Sequence, residues 1–383
     1  MSFPIKQFIK NAQIQRKSQE YIETCLAYIN KLQENNFPVI FSVIHLSILM
    51  GIQSNFLTLL IGESKVDGYK YFELKSSRYK KFLIKKKRKG YREIMAPSKD
   101  LKYIQKWILV NILSKHKLSN SCKGFRVGVS IYDNAIEHES ATTILKIDLL
   151  KFYDTITDRR VYGVFKKMGY ASNLSYSLAK LCTFSHGKKF WDSLLDSEKK
   201  IFSYYLETDP PILPQGAPTS PMLANIIATH MDFRFEKLGE KMNFKYTRYA
   251  DDLTFSIKKE GILPSINFIK RIINEEGFFV NDEKTSFMKS GMKQYVTGLT
   301  TTNGVNISKK TRKEIFMHIH YCRKFGVESH LNYRKSSKNE FKNYSVSNYH
   351  DWLFGHICFI NSINKAYSEK LLEDFKKINW ILD

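Results

Sequence analysis

Asp251 and Asp252 stand side by side between two β-prone runs, Tyr246 to Tyr249 and Leu253 to Ile257. Adjacent like charges on a tight turn repel, so folding alone gives no reason to place them there. A divalent cation removes the penalty. Mg2+ prefers hard oxygen ligands and takes one or two carboxylates together with substrate phosphates. Two such ions about 4 Å apart activate an attacking hydroxyl and stabilise a leaving pyrophosphate. An Asp-Asp turn by itself is weak evidence, because Asp is common in turns for its own hydrogen-bonding reasons. A third carboxylate strengthens the reading. Asp148 ends the apolar run Ile144-Leu145-Lys146-Ile147, where it is placed to face a turn on a neighbouring strand. Three carboxylates from two segments suit a two-metal site; nearby Asp154 reads as a loop or capping residue.

The elements around these residues follow from periodicity. Ile144 to Leu149 reads as a buried strand, and Lys245 to Ser256 as strand, turn and strand. A helix is predicted from near Thr157, with Val161, Val164, Phe165 and Met168 on one face. Ser220-Pro221 reads as a helix start, with Ser as N-cap and Pro at the first position. Residues 1 to about 70 read as mostly helical, with Ser54 as the N-cap of a helix carrying Phe56, Leu57, Leu60 and Ile61. Lys80 to Lys89 holds seven Lys or Arg in ten residues. Such a run suits a solvated face or hairpin edge, and it leads into a short strand, Tyr91 to Pro97. Residues 101 to 114 are amphipathic. Residues 186 to 212 read as a polar, irregular surface insertion, and the chain beyond residue 300 as helical and basic.

Bulk composition narrows the class of partner. The 383 residues carry 61 Lys+Arg against 37 Asp+Glu, a formal net charge of +24, which favours a polyanion. The 22 Tyr and 27 Phe offer rings on which bases can stack. Five Cys are scattered without CxxC spacing, which argues against a disulfide framework and suits a reducing cytoplasm. His318, His320 and Cys322 alternate by two, so they do not share a helical face and read as ordinary helix residues. The start, MSFPIKQFIKNAQ, lacks a signal-peptide core. Phe37 to Ile61 is too interrupted by polar residues for a membrane span and reads as two short helices.

The ordered series Leu145-Lys146-Ile147-Asp148, Phe152-Tyr153-Asp154, Leu213-Pro214-Gln215-Gly216-Ala217-Pro218-Thr219-Ser220-Pro221, Tyr246 to Asp252, and Gly277 with Asn281 to Thr285 resembles the motif set of reverse transcriptases. The resemblance runs from about residue 70 to 300. Asn134-Ala135-Ile136-Glu137-His138 is similar to the NAxxH signature of bacterial retron reverse transcriptases, and Val296-Thr297-Gly298 to their VTG element. The resemblance implies an α+β, right-hand polymerase fold. Residues 1–70 would form an N-terminal helical extension, 71–300 the fingers and a palm with an antiparallel sheet, and 301–383 a helical, basic thumb. It implies copying of a structured non-coding RNA into DNA, primed from an RNA 2′-hydroxyl, leaving a branched RNA–DNA hybrid (msDNA).

Roles then follow residue by residue. Asp148, Asp251 and Asp252 would bind two Mg2+ ions, with Mn2+ as a substitute. Gln215 and Gly216 would line the pocket of the incoming deoxynucleotide; without the other motifs they would be an ordinary turn. Tyr153 would collide with a ribose 2′-hydroxyl, or simply pack in the core. Arg92, with Lys89 as a second group, would grip the triphosphate, a task suited to the guanidinium fork. Lys284 would neutralise or protonate the departing pyrophosphate, or be a surface lysine beside Glu283. Asn134, His138, Val296, Thr297 and Gly298 would help hold the cognate RNA. Implied partners are that RNA and its DNA product, dNTPs, an effector protein in anti-phage defence, and a host RNase H; no membrane is expected. Competing readings are a group II intron-like or CRISPR-associated reverse transcriptase, and a scaffold that uses its RNA–DNA product to restrain the effector.

Overall fold

The computed structural model describes residues 3–62, 78–85, 91–337 and 341–380. The chain forms two compact units interleaved along the sequence. The first gathers residues 1–125, 149–234 and 266–281; the second gathers 126–148, 235–265 and 282–383.

The first unit opens with helices Ile5–Ile14, Gln19–Glu34, Val43–Met50 and Ser54–Ile61. The last two are the short pair expected between Phe37 and Ile61. Ser54 is their one correction: Gln53 occupies the cap position and Ser54 is already helical. Strands β1 (Tyr79–Lys85) and β2 (Tyr91–Pro97) form an antiparallel hairpin whose first strand is almost wholly solvated beyond Tyr79. The expected lysine-rich edge is therefore present as far as Lys85. Its remainder, Lys86 to Lys89, lies outside the described residues. The hairpin base is tied down by polar contacts. Arg78 donates to the Lys180 carbonyl at 2.9 Å, and buried Gln105 donates to Tyr79 Oη at 2.7 Å and to the Leu181 carbonyl at 2.9 Å.

Helix Asp158–Met168 begins after Thr157 and buries Val161, Val164, Phe165 and Met168, the face read from periodicity. Residues 186–212 depart from the irregular loop expected of them. They form three short helices, Lys188–Asp192, Asp196–Ile201 and Ser203–Thr208, around buried Trp191, Leu194, Phe202 and Ile212. Asp209 organises this segment, accepting from Ser185 Oγ, the Gly187 amide and Trp191 Nε1. The sparse apolar residues find partners far away in sequence, at Leu150 and Phe279.

The second unit is built on a four-stranded sheet of order β4-β5-β3-β6. Its strands are β3 (Thr143–Leu149), β4 (Lys245–Tyr249), β5 (Asp252–Ile257) and β6 (Val280–Lys289). β5 runs antiparallel to both β3 and β4. On one face Phe235 packs against Tyr246 and Phe255, with ring centroids 5.0 Å apart in both pairs. Alternation puts Lys146, Asp148, Thr247, Tyr249, Asp252, Thr254 and Ser256 on the other face. A second hairpin, β7 (Tyr295–Val296) and β8 (Leu299–Thr300), turns through Thr297 and Gly298. Helices Lys309–Phe325, Val327–Ser337, Val346–Asn361 and Lys365–Lys376 complete the unit. Their shared core includes Ile315, Ile319, Leu331, Phe341, Leu353 and Leu371.

Within that bundle His318 and Cys322 share the buried face of one helix while His320 is exposed, as spacing by two requires. His318 Nδ1 lies 3.0 Å from His330 Nε2 and 2.7 Å from Tyr349 Oη. Burial, helped by the Arg334 charge, pushes His330 down to about 4. In the unfolded chain it titrates near 6.5. Between these values the unfolded chain binds more protons, so stability falls as pH falls from about 6.5 toward about 4. Denaturation midpoints followed across that range should drop in the wild type and drop less steeply in His330→Gln.

Among the described residues, no helix is long and apolar enough to cross a membrane.

Candidate active site

The three carboxylates singled out in the sequence converge in the second unit. Asp148 and Asp252 are register partners across β3 and β5, so their side chains leave the same face opposite one another. Tyr249 pairs with Asp252 across β4 and β5, leaving Ala250 and Asp251 as a two-residue hairpin loop. Ala250 has φ 56, a left-handed conformation that costs a non-glycine residue about 1 kcal/mol. Positive φ at the first loop residue suits a primed turn, whose twist matches the strands. Arg248 Nη1 donates to the Ala250 carbonyl at 3.2 Å, and Arg248 is fully buried. The acidic loop is thus held from within the sheet by a residue that motif spacing did not single out.

The electrostatics of the loop call for a cation. Burial first, then the Asp148 charge, pushes the Asp251 carboxyl above the usual carboxylate range. Burial also raises Asp252, against the lowering influence of Lys146. Two lysines meet the demand directly. Lys146 Nζ donates to Asp252 Oδ2 at 2.6 Å, and Lys284 Nζ donates to Asp148 Oδ1 at 2.7 Å. Among the described residues no three acidic, His or Cys side chains are closed into a ligand set. Asp148 and Asp252 turn to lysine instead. The donor chemistry nevertheless fits a divalent ion: hard oxygens, closely grouped, with charge that two ammonium groups already neutralise. Lys284 was expected from its motif; Lys146 was not, although its place two residues before Asp148 puts it on the same strand face.

The expected nucleotide-pocket residues lie in the first unit. Arg92 is exposed on β2, where it pairs with Ile84. Lys89 lies outside the described residues. The Met95 amide donates to the Gln215 carbonyl at 2.6 Å, fastening the Gln215 loop to the same strand. The Leu213 amide donates to the Ile156 carbonyl at 3.0 Å, and the Ile156 amide to the Tyr153 carbonyl at 3.1 Å. Strand, Gln215 loop and Tyr153 turn are therefore one bonded assembly. Gly216 has φ 119, and a Cβ there would lie 2.8 Å from the Met95 carbonyl oxygen.

The residues expected to hold RNA occupy the second unit. Asn134 and His138 are buried, at 1% and 0% exposure. Val296 is buried, Thr297 half-buried and Gly298 exposed. Thr297 and Gly298 have φ 48 and 85, so both hairpin-loop residues are left-handed, the pattern of a type I′ turn. Asn134, Ala135 and His138 of the NAIEH segment thus lie inside the unit while Ile136 is exposed, and the VTG partner presents a turn at the surface.

A strand-borne carboxylate thus faces a two-strand acidic hairpin in a chain of mixed α and antiparallel β structure. Residues 84–312 match the family of reverse transcriptases (RNA-dependent DNA polymerases). The chain is 32% identical over 321 residues to the Retron Ec86 reverse transcriptase of Escherichia coli, covering 82% of this chain and 88% of that one. It is 34% identical over 254 residues to the Retron Mx65 reverse transcriptase of Myxococcus xanthus, covering 66% of this chain and 58% of that one. A solved telomerase from Candida albicans, in complex with a TWJ fragment of telomeric RNA, aligns with TM-score 0.38 and 15% identity over 78% of this chain and 63% of that one. The chain therefore spans less than two thirds of the Mx65 enzyme and of that telomerase. It belongs to the bacterial retron reverse transcriptases and is an RNA-directed DNA polymerase of the right-hand polymerase class. RNA is its partner and a divalent metal its cofactor.

Proposed function

We propose that this enzyme copies part of one cognate non-coding RNA into a branched RNA–DNA hybrid, priming from an RNA 2′-hydroxyl. The observation that carries the catalytic part is the apposition of Asp148 to Asp252, with Asp251 in the strained loop beside them. Asp148 and Asp251 hold Mg2+, which Mn2+ can replace, and Asp252 contributes charge while engaged by Lys146. Bound ions supply activation of the attacking hydroxyl and stabilisation of the departing pyrophosphate. Lys284, released from Asp148, is the group that neutralises or protonates that pyrophosphate. Arg92 grips the triphosphate of the dNTP, Gln215 and Gly216 lie against it, and Tyr153 excludes a ribose 2′-hydroxyl. Lys89 is the second triphosphate group.

The division of labour follows the sequence expectation, with an N-terminal extension to residue 70, fingers and palm to 300, and a thumb beyond. The VTG turn selects the RNA, and the NAIEH segment supports that turn from behind. In the cytoplasm the hybrid, trimmed by a host RNase H, serves anti-phage defence with an effector protein. The test is the nucleic acid that copurifies with the protein. Deep sequencing and nuclease mapping are expected to show one RNA species joined covalently to DNA at an internal guanosine. Recovery of linear cDNA alone, from many RNAs, would overturn the reading.

A further inference from the structure

His138 was expected at the RNA, yet it is fully buried against the catalytic hairpin. Its Nδ1 lies 2.7 Å from Ser256 Oγ on β5, and its Nε2 lies 2.7 Å from Thr247 Oγ1 on β4. One ring therefore bridges both strands of the hairpin whose loop is Ala250-Asp251. Thr247 is two residues before Tyr249 on the same strand face, and Tyr249 pairs with Asp252. Neutral imidazole is suited to this because either nitrogen can donate or accept against a hydroxyl. An apolar residue of equal size would leave both hydroxyls without that partner.

The other end of the same segment touches the VTG turn. Helix Ile131–Ala135 starts from a Ser130–Asp133 capping box and runs directly into the 3-10 turn Ile136–His138. The Ile131 carbonyl accepts from Thr297 Oγ1 at 3.2 Å. Thr297 is β-branched and sits at φ 48, a conformation such residues rarely adopt unless their surroundings hold them there. Between the two ends, buried Asn134 has its Oδ1 without a hydrogen-bond partner among the described residues. An unmet acceptor of this kind gives the segment something to gain from a small rearrangement.

We propose that residues 131–138 form a strut between the Thr297-Gly298 turn and the catalytic hairpin, with His138 as a positioning residue for Asp251 and Asp252. RNA seated at the turn then tightens the hairpin, so that the cognate template is licensed as well as bound. This rests on the catalytic assignment made above.

The experiment compares wild type with His138→Phe and with the double variant Thr247→Val, Ser256→Ala. Steady-state kinetics use poly(rA)/oligo(dT), and binding uses the RNA recovered from the purified wild-type complex. Both variants are expected to lose about 10- to 100-fold in kcat, the scale of a misplaced catalytic group. KM for dTTP and RNA affinity should stay within about twofold, against a scale where 1.4 kcal/mol is tenfold. Amide hydrogen exchange over 246–256 should slow when that RNA saturates wild type, and should not change in either variant at equal RNA occupancy. Loss of RNA affinity with kcat retained would make His138 a direct RNA contact. A fall in kcat no larger than the fall in folded fraction, or RNA-induced protection equal to wild type, would also overturn the strut. Synthesis retained by Asp251→Asn with Asp252→Asn would instead bring down the catalytic assignment, a separable result.

Discussion

Replacing Asp251 and Asp252 together by Asn is expected to lower DNA synthesis by roughly 10³-fold or more, the scale on which a principal electrostatic stabiliser is lost. RNA affinity should be preserved, because the loop carries negative charge and offers RNA no attraction. The fold should survive as well. Asn tolerates the same turn conformations as Asp. Both carboxyls are raised above their usual range, by burial first and also by the Asp148 charge. At neutral pH their ionised forms are therefore held in the folded state at a cost, which Asn removes. Lys146 loses its carboxylate partner at 2.6 Å, but both side chains are partly solvated and the pair is a modest contributor. The melting temperature should thus match or exceed that of wild type. Primer extension, filter binding and thermal unfolding on one preparation check all three statements. Residual synthesis near the wild-type level in a folded variant would remove these residues from the chemistry.

Much of this centre was legible because its logic is local. An apolar run ending in Asp148, and β-prone runs flanking Asp251 and Asp252, predict strands, and their pairing sets Asp148 opposite Asp252 with Asp251 in the adjoining loop. The helix after Thr157 was equally plain, since its apolar spacing is a property of neighbouring residues. What escaped depends on contacts across the chain. Trp191 and Phe202 look stranded in a polar stretch until Phe279, more than seventy residues on, closes their cluster. Buried Arg248 was read as one more strand residue, since nothing in its neighbours shows which face of β4 is sealed. The NAIEH motif supplied residue types without burial, so His138 was expected at the RNA and is found beneath the hairpin. Lys146 is an intermediate case: the same alternation that placed Asp148 also placed this lysine beside it, and only the charge balance of the site gives that position meaning.

Gly216→Ala is the other substitution expected to be severe, and the reason is backbone geometry. The residue adopts φ 119, which strains any L side chain. The added Cβ would sit 2.8 Å from the Met95 carbonyl oxygen and 2.9 Å from Ile94 Cγ2. Backbone cannot yield as a flexible side chain does, so the loop must lift away from β2. Lifting it breaks the 2.6 Å bond from the Met95 amide to the Gln215 carbonyl and leaves that bond's two groups to water. The local cost is about 1–3 kcal/mol. The functional cost is larger, because a shift near 1 Å in a positioning loop is worth roughly 10²-fold. That loss should fall on kcat/KM for the dNTP, with RNA affinity unchanged. Gly163→Ala supplies the control. Gly163 lies within helix Asp158–Met168 with open space where its Cβ would go, so Ala there should raise stability by up to about 1 kcal/mol and leave dNTP kinetics alone. Equal kinetic loss in both variants would show a general sensitivity of the fold, and the close approach of Gly216 to β2 would then explain nothing about nucleotide binding.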